Sequence, residues 1–421
     1  MFGNQTLERP SYVPDHLVYD YPNKLGLTAN ENPFDGMIQA IHAERPPIFY
    51  SMDAYPGGSP AWVVRRAEDL RTIYFDTVNF SNKDFAPFAK LIGENWSEVP
   101  AEVDPPMHAL FRSWINPVFT PNAMAVLDTK IRTYAREYID AFKARGQCEF
   151  MSEFAFEFPI KVILELMGLP LDMAPTFMAW EMDLLHNNDL GAIAAASRKV
   201  VDYLRGEIED RKRNPGDDLF SFGVKSQIQG RPLTDDELLG FAFNLFIGGL
   251  DTVSTNMAWQ FHHLATHPED QRLLRSNPER INDAVEEYMR AYAAVTTFRT
   301  AVNPIEINGV TFQPGDKIAM CTSLAARDPE EYDRPNEVII GRKVRYLSFG
   351  YGPHLCLGMH LARREMRIAM VEFLSRVPEF RIADDAAMEY HLGPILQPVR
   401  LPLAWEEAIG NRRRLLAESG S

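Results

Sequence analysis

Apolar residues recur at helical spacing along most of the chain, and proline and glycine interrupt that pattern at intervals. Neither an internal repeat nor a low-complexity linker divides the sequence. The pattern therefore predicts one mainly α-helical domain over residues 1–421, in which residues 1–30 form an extended N-terminal segment.

Two short segments predict a minor β region. Residues 59–65 read SPAWVVR, and residues 310–319 read VTFQPGDKIA. Both have the composition of short strands, and the second carries a Pro-Gly turn between apolar flanks, as a hairpin does.

The longest helical pattern begins at Thr234, where T-D-D-E offers a capping box with Glu237, and it continues until Pro268. This predicts a central helix over residues 234–267. At ~1.5 Å per residue, such a helix has about nine turns and is roughly 50 Å long.

The middle of this helix is unusual for a buried segment. Gly248 and Gly249 each cost about 1 kcal/mol relative to alanine, and Asp251 places a charge among apolar residues. One explanation is close helix packing at the glycines, with Asp251 reaching solvent. The other is that a flat or small partner lies against the helix, where Thr252 bonds back to the carbonyl four residues earlier and loosens it.

Composition narrows the class of protein. Hydrophobic residues make up 46% and charged residues 24%, as in a globular protein with a large core. The formal charge of −15 argues against a general nucleic-acid or anionic-membrane binder. The N-terminus has no signal-peptide pattern and no stretch suits a membrane span, so we expect a cytoplasmic protein.

The chain has three cysteines, Cys148, Cys321 and Cys356, without the spacing of a disulfide framework or a zinc site. Cys356 differs from the other two because an amphipathic helix, MHLARREMRIAMVEFL, begins just after it. A helix N-terminus favours the thiolate that ligates metals. A buried, inert cysteine is the alternative.

The residues around Cys356 form a longer pattern. Residues 349–358 fit F-x-x-G-x-H-x-C-x-G, which resembles the haem-binding loop of the cytochrome P450 family. Two further elements of that family occur in the expected order: Gly248-Gly249-Leu250-Asp251-Thr252 matches its oxygen-binding helix, and Glu287-Tyr-Met-Arg290 matches its E-x-x-R pair. By itself, the E-x-x-R match would be read as a solvated surface pair.

The resemblance implies a mainly α cytochrome P450 fold, with haem b buried between the central helix and the cysteine loop. It implies that Cys356 ligates the iron, that Asp251 and Thr252 deliver protons to dioxygen, and that Glu287 and Arg290 are structural. It further implies that the haem propionates are bound by Arg112, Arg299 and His354. The other haem contacts that it implies are Gly248, Gly249, Phe349 and Gly358. His108 is a further possible propionate contact.

The similarity extends over nearly the whole chain to the bacterial camphor 5-monooxygenase branch of the family, through segments such as VPDHLVYDY, GQCEF and HLCLGMHLARRE. It implies a monomer that receives NAD(P)H electrons through a flavoprotein reductase and a [2Fe-2S] ferredoxin. Cationic residues on the cysteine-loop face would bind that ferredoxin. The candidates are Arg112, Arg342, Lys343, Arg345 and Arg364.

The substrate pocket implied by this resemblance is mostly apolar. Its residues would be Phe88, Trp96, Asn244, Ile247, Val295 and Ile395. Trp96 takes the place of a tyrosine that binds the camphor ketone, so camphor is not the expected substrate. A terpenoid or norisoprenoid, such as an ionone-like ketone, fits such a pocket. His186 is the only basic residue in 175–190, so protons would reach Asp251 through His186 or water.

Two other functions remain open from the sequence. One is a peroxide-driven haem peroxygenase, and the other is a haem-binding sensor without turnover. The Asp251-Thr252 pair argues against both, because peroxygenases of this kind typically have that acid-alcohol pair altered and a sensor without turnover has no use for proton-delivery groups.

Overall fold

A long central helix organises the computed structural model, which describes residues 8–343, 345–383 and 386–406. Helices take up 52% and strands 14% of the chain, so the fold is mainly α. The α-helices of the described part are α1 (Met37–Glu44), α2 (Ala67–Phe75), α3 (Phe88–Leu91), α4 (Met107–Ile115), α5 (Pro121–Ala125), α6 (Asp128–Phe142), α7 (Glu157–Met167), α8 (Ala174–Leu185), α9 (Leu190–Arg213), α10 (Leu219–Lys225), α11 (Asp235–Thr266), α12 (Pro268–Ser276), α13 (Ile281–Ala291), α14 (Thr322–Ala325) and α15 (Met359–Arg376).

The central helix is α11, and Thr234 caps it. The Thr234 hydroxyl accepts a hydrogen bond from the Glu237 backbone N–H, while the Glu237 carboxylate accepts one from the Thr234 N–H at 2.8 Å, so the capping box expected from the sequence is present. By length and composition α11 could cross a membrane, but most of its residues are buried in the protein core. It packs against α7 and α9 as the central core helix.

The strands are short and lie in several small sheets. They are β1 (Thr28–Ala29), β2 (Ile48–Tyr55), β3 (Ser59–Val64), β4 (Phe80–Ser81), β5 (Gln147–Glu149), β6 (Gln227–Ile228), β7 (Arg231–Pro232), β8 (Thr296–Ala301), β9 (Ile305–Ile307), β10 (Val310–Phe312), β11 (Lys317–Cys321), β12 (Phe380–Ile382), β13 (Tyr390–His391), β14 (Gln397–Pro398) and β15 (Pro402–Trp405). The largest sheet has the order β2-β3-β11-β8-β4, with β11 parallel to β3 and antiparallel to β8.

The hairpin predicted over residues 310–319 does not form. The segment contains two strands, as its pattern indicates, but β10 pairs with β9 and β11 pairs with β3 and β8. The turn at Gly315, where φ is +95°, carries the chain from one sheet to the other. The two predicted strands are confirmed but the hairpin is wrong, because β10 pairs with β9 directly before it, whereas β11 pairs with β8 and with the distant β3.

The N-terminal segment is described from residue 8 onward, and residues 1–7 lie outside the described residues. Residues 8–30 contain one 3₁₀ turn, Asp15–Leu17, and end in β1. β1 pairs with β13, which brings this segment alongside the C-terminal part of the chain.

The Glu287–Arg290 pair is fully buried on α13. Arg290 Nη2 donates to Glu287 Oε1 at 2.8 Å, and its Nη1 donates to the carbonyl of Ala326, also at 2.8 Å. Glu287 Oε1 further accepts from the Ile339 backbone N–H at 2.9 Å and from Arg342 Nε at 3.2 Å. The pair therefore ties α13 to the chain that precedes the cysteine loop, and it is not the solvated surface pair that spacing alone would indicate.

Candidate active site

Cys356 lies in a loop between a 3₁₀ turn, Gly352–His354, and the start of α15. Its backbone N–H donates to the Phe349 carbonyl at 2.9 Å, which closes the loop. Gly352 has φ of +70°, and a Cβ there would lie 3.1 Å from the Tyr74 carbonyl oxygen. Both its left-handed backbone and its close approach to α2 therefore require glycine at this position.

The Cys356 side chain lines a cavity, to which it is exposed. Burial raises the pKa of this thiol, whereas the backbone N–H groups of Gly358 and Met359 and the guanidinium of Arg112 lower the pKa. The helix start does supply the donors that the sequence indicates, but burial outweighs them. A bound metal cation would displace the proton, because thiolate is the ligating form.

The cavity that Cys356 faces has a volume of about 360 Å³, within the range of small-molecule sites. Residues from α4, α7, α11, β8 and the cysteine loop contribute to its walls. Of the site residues expected from the sequence, those that line it are Arg112, Asn244, Gly248, Gly249, Thr252, Val295, Arg299, Phe349, His354, Cys356 and Gly358.

The two adjacent glycines of α11 serve different purposes. A Cβ at Gly248 would meet nothing within 4 Å, so this position leaves open space at the cavity wall. A Cβ at Gly249 would lie 2.6 Å from the Cδ1 of Ile163 on α7, so this glycine permits close helix packing. Close helix packing therefore holds at Gly249, and the open space that a partner against the helix would need is present at Gly248.

Two arginines and two histidines converge on the cavity. Arg112 Nη1 donates to the Leu355 carbonyl at 2.9 Å, and Arg299 is buried with its guanidinium 5.1 Å from the Tyr74 ring centre. The ring centres of His108 and His354 lie 3.9 Å apart. The Nε2 atom of each ring is buried and has no hydrogen-bond partner among the described residues.

These histidines are uncharged at neutral pH. Burial, then the charge of Arg112, lowers the pKa of His108 to about 4, and burial together with the neighbouring basic groups lowers the pKa of His354 to about 2. A neutral imidazole still donates through one N–H. A cavity wall with two guanidinium groups and two unsatisfied imidazoles suits the carboxylates of a buried anion. His108, which the sequence left unranked, belongs to this group.

Thr252 lines the cavity, and its hydroxyl donates to the Gly248 carbonyl at 3.1 Å, the back-bond expected from the sequence. Asn256, one turn later, donates to the Thr252 carbonyl at 2.7 Å and also lines the cavity. Its buried Oδ1 has no partner among the described residues. We did not single out Asn256 from sequence, although an amide four residues after Thr252 was a usable signal.

Asp251 is fully buried and is not among the residues that line the cavity. His186 Nε2 lies 3.2 Å from its Oδ2, and Gln397 donates to its Oδ1. The Thr255 hydroxyl donates to the same Oδ1 at 3.4 Å. Asp251 therefore reaches a polar cluster instead of solvent, and His186, the one basic residue noted in its stretch of sequence, is its neighbour.

Four residues expected in a substrate pocket do not line this cavity in the described chain: Phe88, Trp96, Ile247 and Ile395. Trp96 is buried against Phe243, and its indole N–H donates to Glu94 at 2.8 Å. The donor that was expected to orient a substrate ketone is therefore already used. Glu94, which accepts this N–H, is itself paired with Arg205, and the role of Trp96 in substrate binding stays a prediction.

Glu365 is a cavity-lining residue that the sequence analysis did not single out. It is fully buried on α15, and neither carboxylate oxygen has a hydrogen-bond partner among the described residues. Burial raises the pKa of this carboxyl well above its usual range, which favours the protonated form. Its signal in the sequence was an acid on the apolar face of the helix after Cys356.

Comparisons with known proteins agree with this site. The Cytochrome P450 family model matches residues 169–384. The probable cytochrome P450 127A1 of Sinorhizobium fredii is 36% identical over 402 residues, which cover 94% of this chain and 96% of that protein. The crystal structures of CYP101J2 and CYP101C1 both match with a TM-score of 0.84, at 29% and 30% identity, and cover 95% of this chain and 100% of each neighbour.

Family membership gives the cysteine and the basic cavity wall a common purpose. The family uses a haem-thiolate cofactor, and in this chain Cys356 places a thiol at the wall of the cavity. The structural neighbours belong to the same branch as the camphor monooxygenase that the sequence resembles. This chain belongs to the cytochrome P450 family, and it is a cytochrome P450 monooxygenase.

Proposed function

We propose that the enzyme inserts one atom of O2 into a C–H bond of a small hydrophobic substrate, a terpenoid or norisoprenoid such as an ionone-like ketone. The observation that carries this proposal is that Cys356 and Thr252 face one largely apolar cavity. A single group bound in this cavity could therefore contact both the Cys356 thiol and the Thr252 hydroxyl.

The residues around the cavity fit haem b. Cys356 would ligate the iron, and Arg112, Arg299 and His354 would bind the propionates. Gly248, with no side chain, leaves space for a flat ring. When bound, thiolate-ligated haem supplies the redox chemistry that activates dioxygen.

The chain's own part in the reaction is proton delivery and positioning. Thr252 Oγ1 lines the cavity and donates to the Gly248 carbonyl at 3.1 Å, and by turning from that bond the hydroxyl would supply a proton to a group bound in the cavity. Asp251 would resupply that proton from the His186 cluster. General-acid groups of this kind contribute about 10²- to 10⁴-fold to enzyme rates.

The cavity lining supports a hydrophobic substrate. Leu245, Val253 and Val295 supply apolar contacts, which favour binding by about 25 cal/mol for each Å² buried. Asn244 is a neutral amide on the same wall and can donate one hydrogen bond. A terpenoid ketone offers a large apolar surface with a single acceptor, which matches this lining.

For electron supply we propose a [2Fe-2S] ferredoxin and its NAD(P)H-dependent reductase, with the enzyme acting as a cytoplasmic monomer where NAD(P)H is available. Two of the cations expected to bind the ferredoxin already form ion pairs within the chain: Arg342 with Glu287, and Arg364 with Asp128. Lys343 and Arg345 are exposed and remain candidates for the ferredoxin site.

The test of this function begins with carbon monoxide. Added to the reduced protein, it should give the red-shifted Soret band of thiolate-ligated haem, and Cys356→Ala should abolish that band while the matched change Cys148→Ala leaves it. A histidine-type band would contradict the assignment of Cys356. A panel of terpenoids and norisoprenoids should then shift the iron spin state and yield hydroxylated products with NADH, ferredoxin and reductase, and no shift with any of them would contradict the substrate class.

A further inference from the structure

Three buried titratable side chains meet beside α11, outside the cavity lining. His186 Nε2 lies 3.2 Å from Asp251 Oδ2 and 3.6 Å from Glu181 Oε1. Glu181 is 1% exposed and Asp251 is 0% exposed. Two acids therefore face the same nitrogen of one imidazole, which can donate only one proton at a time.

Glu181 is incompletely bonded in this arrangement. Its buried Oε1 has no hydrogen-bond partner among the described residues. Burying an unpaired carboxylate costs more free energy than burying the neutral carboxylic acid, so this environment favours the protonated form. Burial, together with the charge of Asp251, raises the pKa of Glu181 to about 7, although His186 lowers it. Glu181 can therefore hold and release a proton near neutral pH.

His186 carries positive charge between the two acids. It is the C-terminal cap of α8, where the helix dipole favours a cation. Burial lowers the pKa of His186, but Asp251 and Glu181 raise it, with a net value of about 10. The imidazolium is thus the resting form.

The remaining groups around the cluster complete its electrostatics. His391 on β13 has its ring 4.9 Å from that of His186, and burial followed by the His186 charge lowers the pKa of His391, so it is neutral. Gln397 on β14 and Thr255 on α11 donate to Asp251. The titratable groups that face His186 are therefore Glu181, Asp251 and the neutral His391.

We propose that Glu181 is a positioning residue for proton delivery, which returns a proton to His186 Nε2 after that nitrogen has passed one to Asp251. In the first step the N–H bond of the imidazolium breaks and an O–H bond forms on Asp251. In the second, the O–H bond of Glu181 breaks and the N–H bond re-forms. One proton moves from Glu181 to Asp251, and no electrons are exchanged.

The geometry makes this relay compact. Because both acids face Nε2, the imidazole ring does not have to turn between the two steps. Below about pH 7 Glu181 is protonated and the relay is loaded, and above it the carboxylate has no proton to return. Turnover should therefore fall as pH rises through neutrality. This inference rests on the proposed monooxygenase function.

Glu181→Gln in the haem-loaded full chain tests the proposal, because glutamine keeps the shape and removes the proton. The matched control is Asp183→Asn, on the same helix but outside the cluster. In infrared difference spectra against pH, wild type and Asp183→Asn should show a carboxylic-acid C=O band that titrates near neutrality, and Glu181→Gln should lack it. This readout does not depend on turnover.

Kinetics supply the second readout. With ferredoxin and reductase, Glu181→Gln should slow substrate-dependent oxygen consumption about tenfold or more, enlarge the solvent deuterium isotope effect and lose the inflection near neutral pH. Glu181→Asp should retain part of the inflection.

The proposal is overturned if Glu181→Gln keeps the wild-type pH profile and isotope effect, or if the infrared band survives in it. Should that variant fail to bind haem, His186→Gln takes its place in both measurements, with an unchanged pH profile as the contradicting result. Failure of the proposed monooxygenase function would look different from failure of this inference. In that case wild type itself would lack turnover, while the infrared titration of Glu181 could still be measured.

Discussion

Asp251 and Thr252 are neighbours in sequence, yet their side chains have different surroundings. Thr252 lines the cavity, whereas Asp251 is bonded to His186 and Gln397 in a buried cluster. Consecutive helical residues point about 100° apart, so one turn of α11 can serve both. A cavity-lining hydroxyl and a carboxylate in a buried polar cluster are thus held on a single helix without competing for the same space.

At the residue scale, Thr252→Ala should uncouple the reaction. We expect NAD(P)H consumption to continue with substrate while most of it yields hydrogen peroxide, because the hydroxyl proposed to supply protons in the cavity is lost. Product and peroxide per NADH are the quantities to measure. Thr266→Ala is a matched control, since Thr266 makes the same back-bond to a carbonyl four residues earlier but does not line the cavity. Equal coupling in both variants would contradict the role of Thr252.

At the scale of elements, α13 fixes the chain that leads into the cysteine loop. Glu287 accepts from Arg290, Arg342 and the Ile339 backbone, and all of these bonds lie in the interior or close to it. A buried pair of this kind costs more to break than it contributes when intact, because removing one partner leaves the other charge uncompensated. Neither Glu287 nor Arg290 lines the cavity, and their bonds join α13 to the chain that precedes the cysteine loop.

Glu287→Gln should therefore destabilise the protein by about 3–5 kcal/mol and reduce haem retention. Its neighbour Glu286 is 40% exposed at its side chain and pairs with Arg363, so Glu286→Gln should cost less than about 1 kcal/mol. Urea unfolding of both variants, with haem content measured in parallel, compares a buried and an exposed pair at adjacent positions. If both variants lose the same free energy of unfolding, burial of the pair does not determine the cost of breaking it.

At the scale of the whole molecule, the cysteine loop meets the surface beside an apolar patch. Phe75, at the end of α2, is 67% exposed, and Tyr351 in the cysteine loop is 40% exposed. Their ring centres lie 6.4 Å apart. Exposed aromatic residues next to the expected electron-entry face are suited to binding a partner protein, because aromatic side chains dominate the energetics of interfaces.

Phe75→Ser should raise the KM for ferredoxin about fivefold or more and leave the carbon monoxide spectrum and substrate spin shift unchanged. Leu27→Ser is the control, since Leu27 is 48% exposed beside β1 and is outside the cysteine loop. Steady-state kinetics with varied ferredoxin provide the measurement. If the two variants have the same KM, the patch is not part of the docking site.

Motifs with fixed spacing could be read directly from the chain. The cysteine loop, the E-x-x-R pair and the capping box at Thr234 each lie within a few residues of sequence, so local geometry determines them. The same holds for the back-bond of Thr252, which joins residues four apart. From these the family, the cofactor and the long helix followed.

Contacts between distant segments could not be read in this way. Trp96 was expected in the pocket, but Glu94 takes its N–H, and the expected hairpin at residues 310–319 is divided between two sheets. Glu181 joins the His186 cluster only because α8 packs near α11. Sequence by itself determined the local motifs, the long central helix and the family, since bonds along one helix or loop depend on spacing. Tertiary structure alone decided which side chains face the cavity, because burial and partner choice depend on residues that are far apart in the chain.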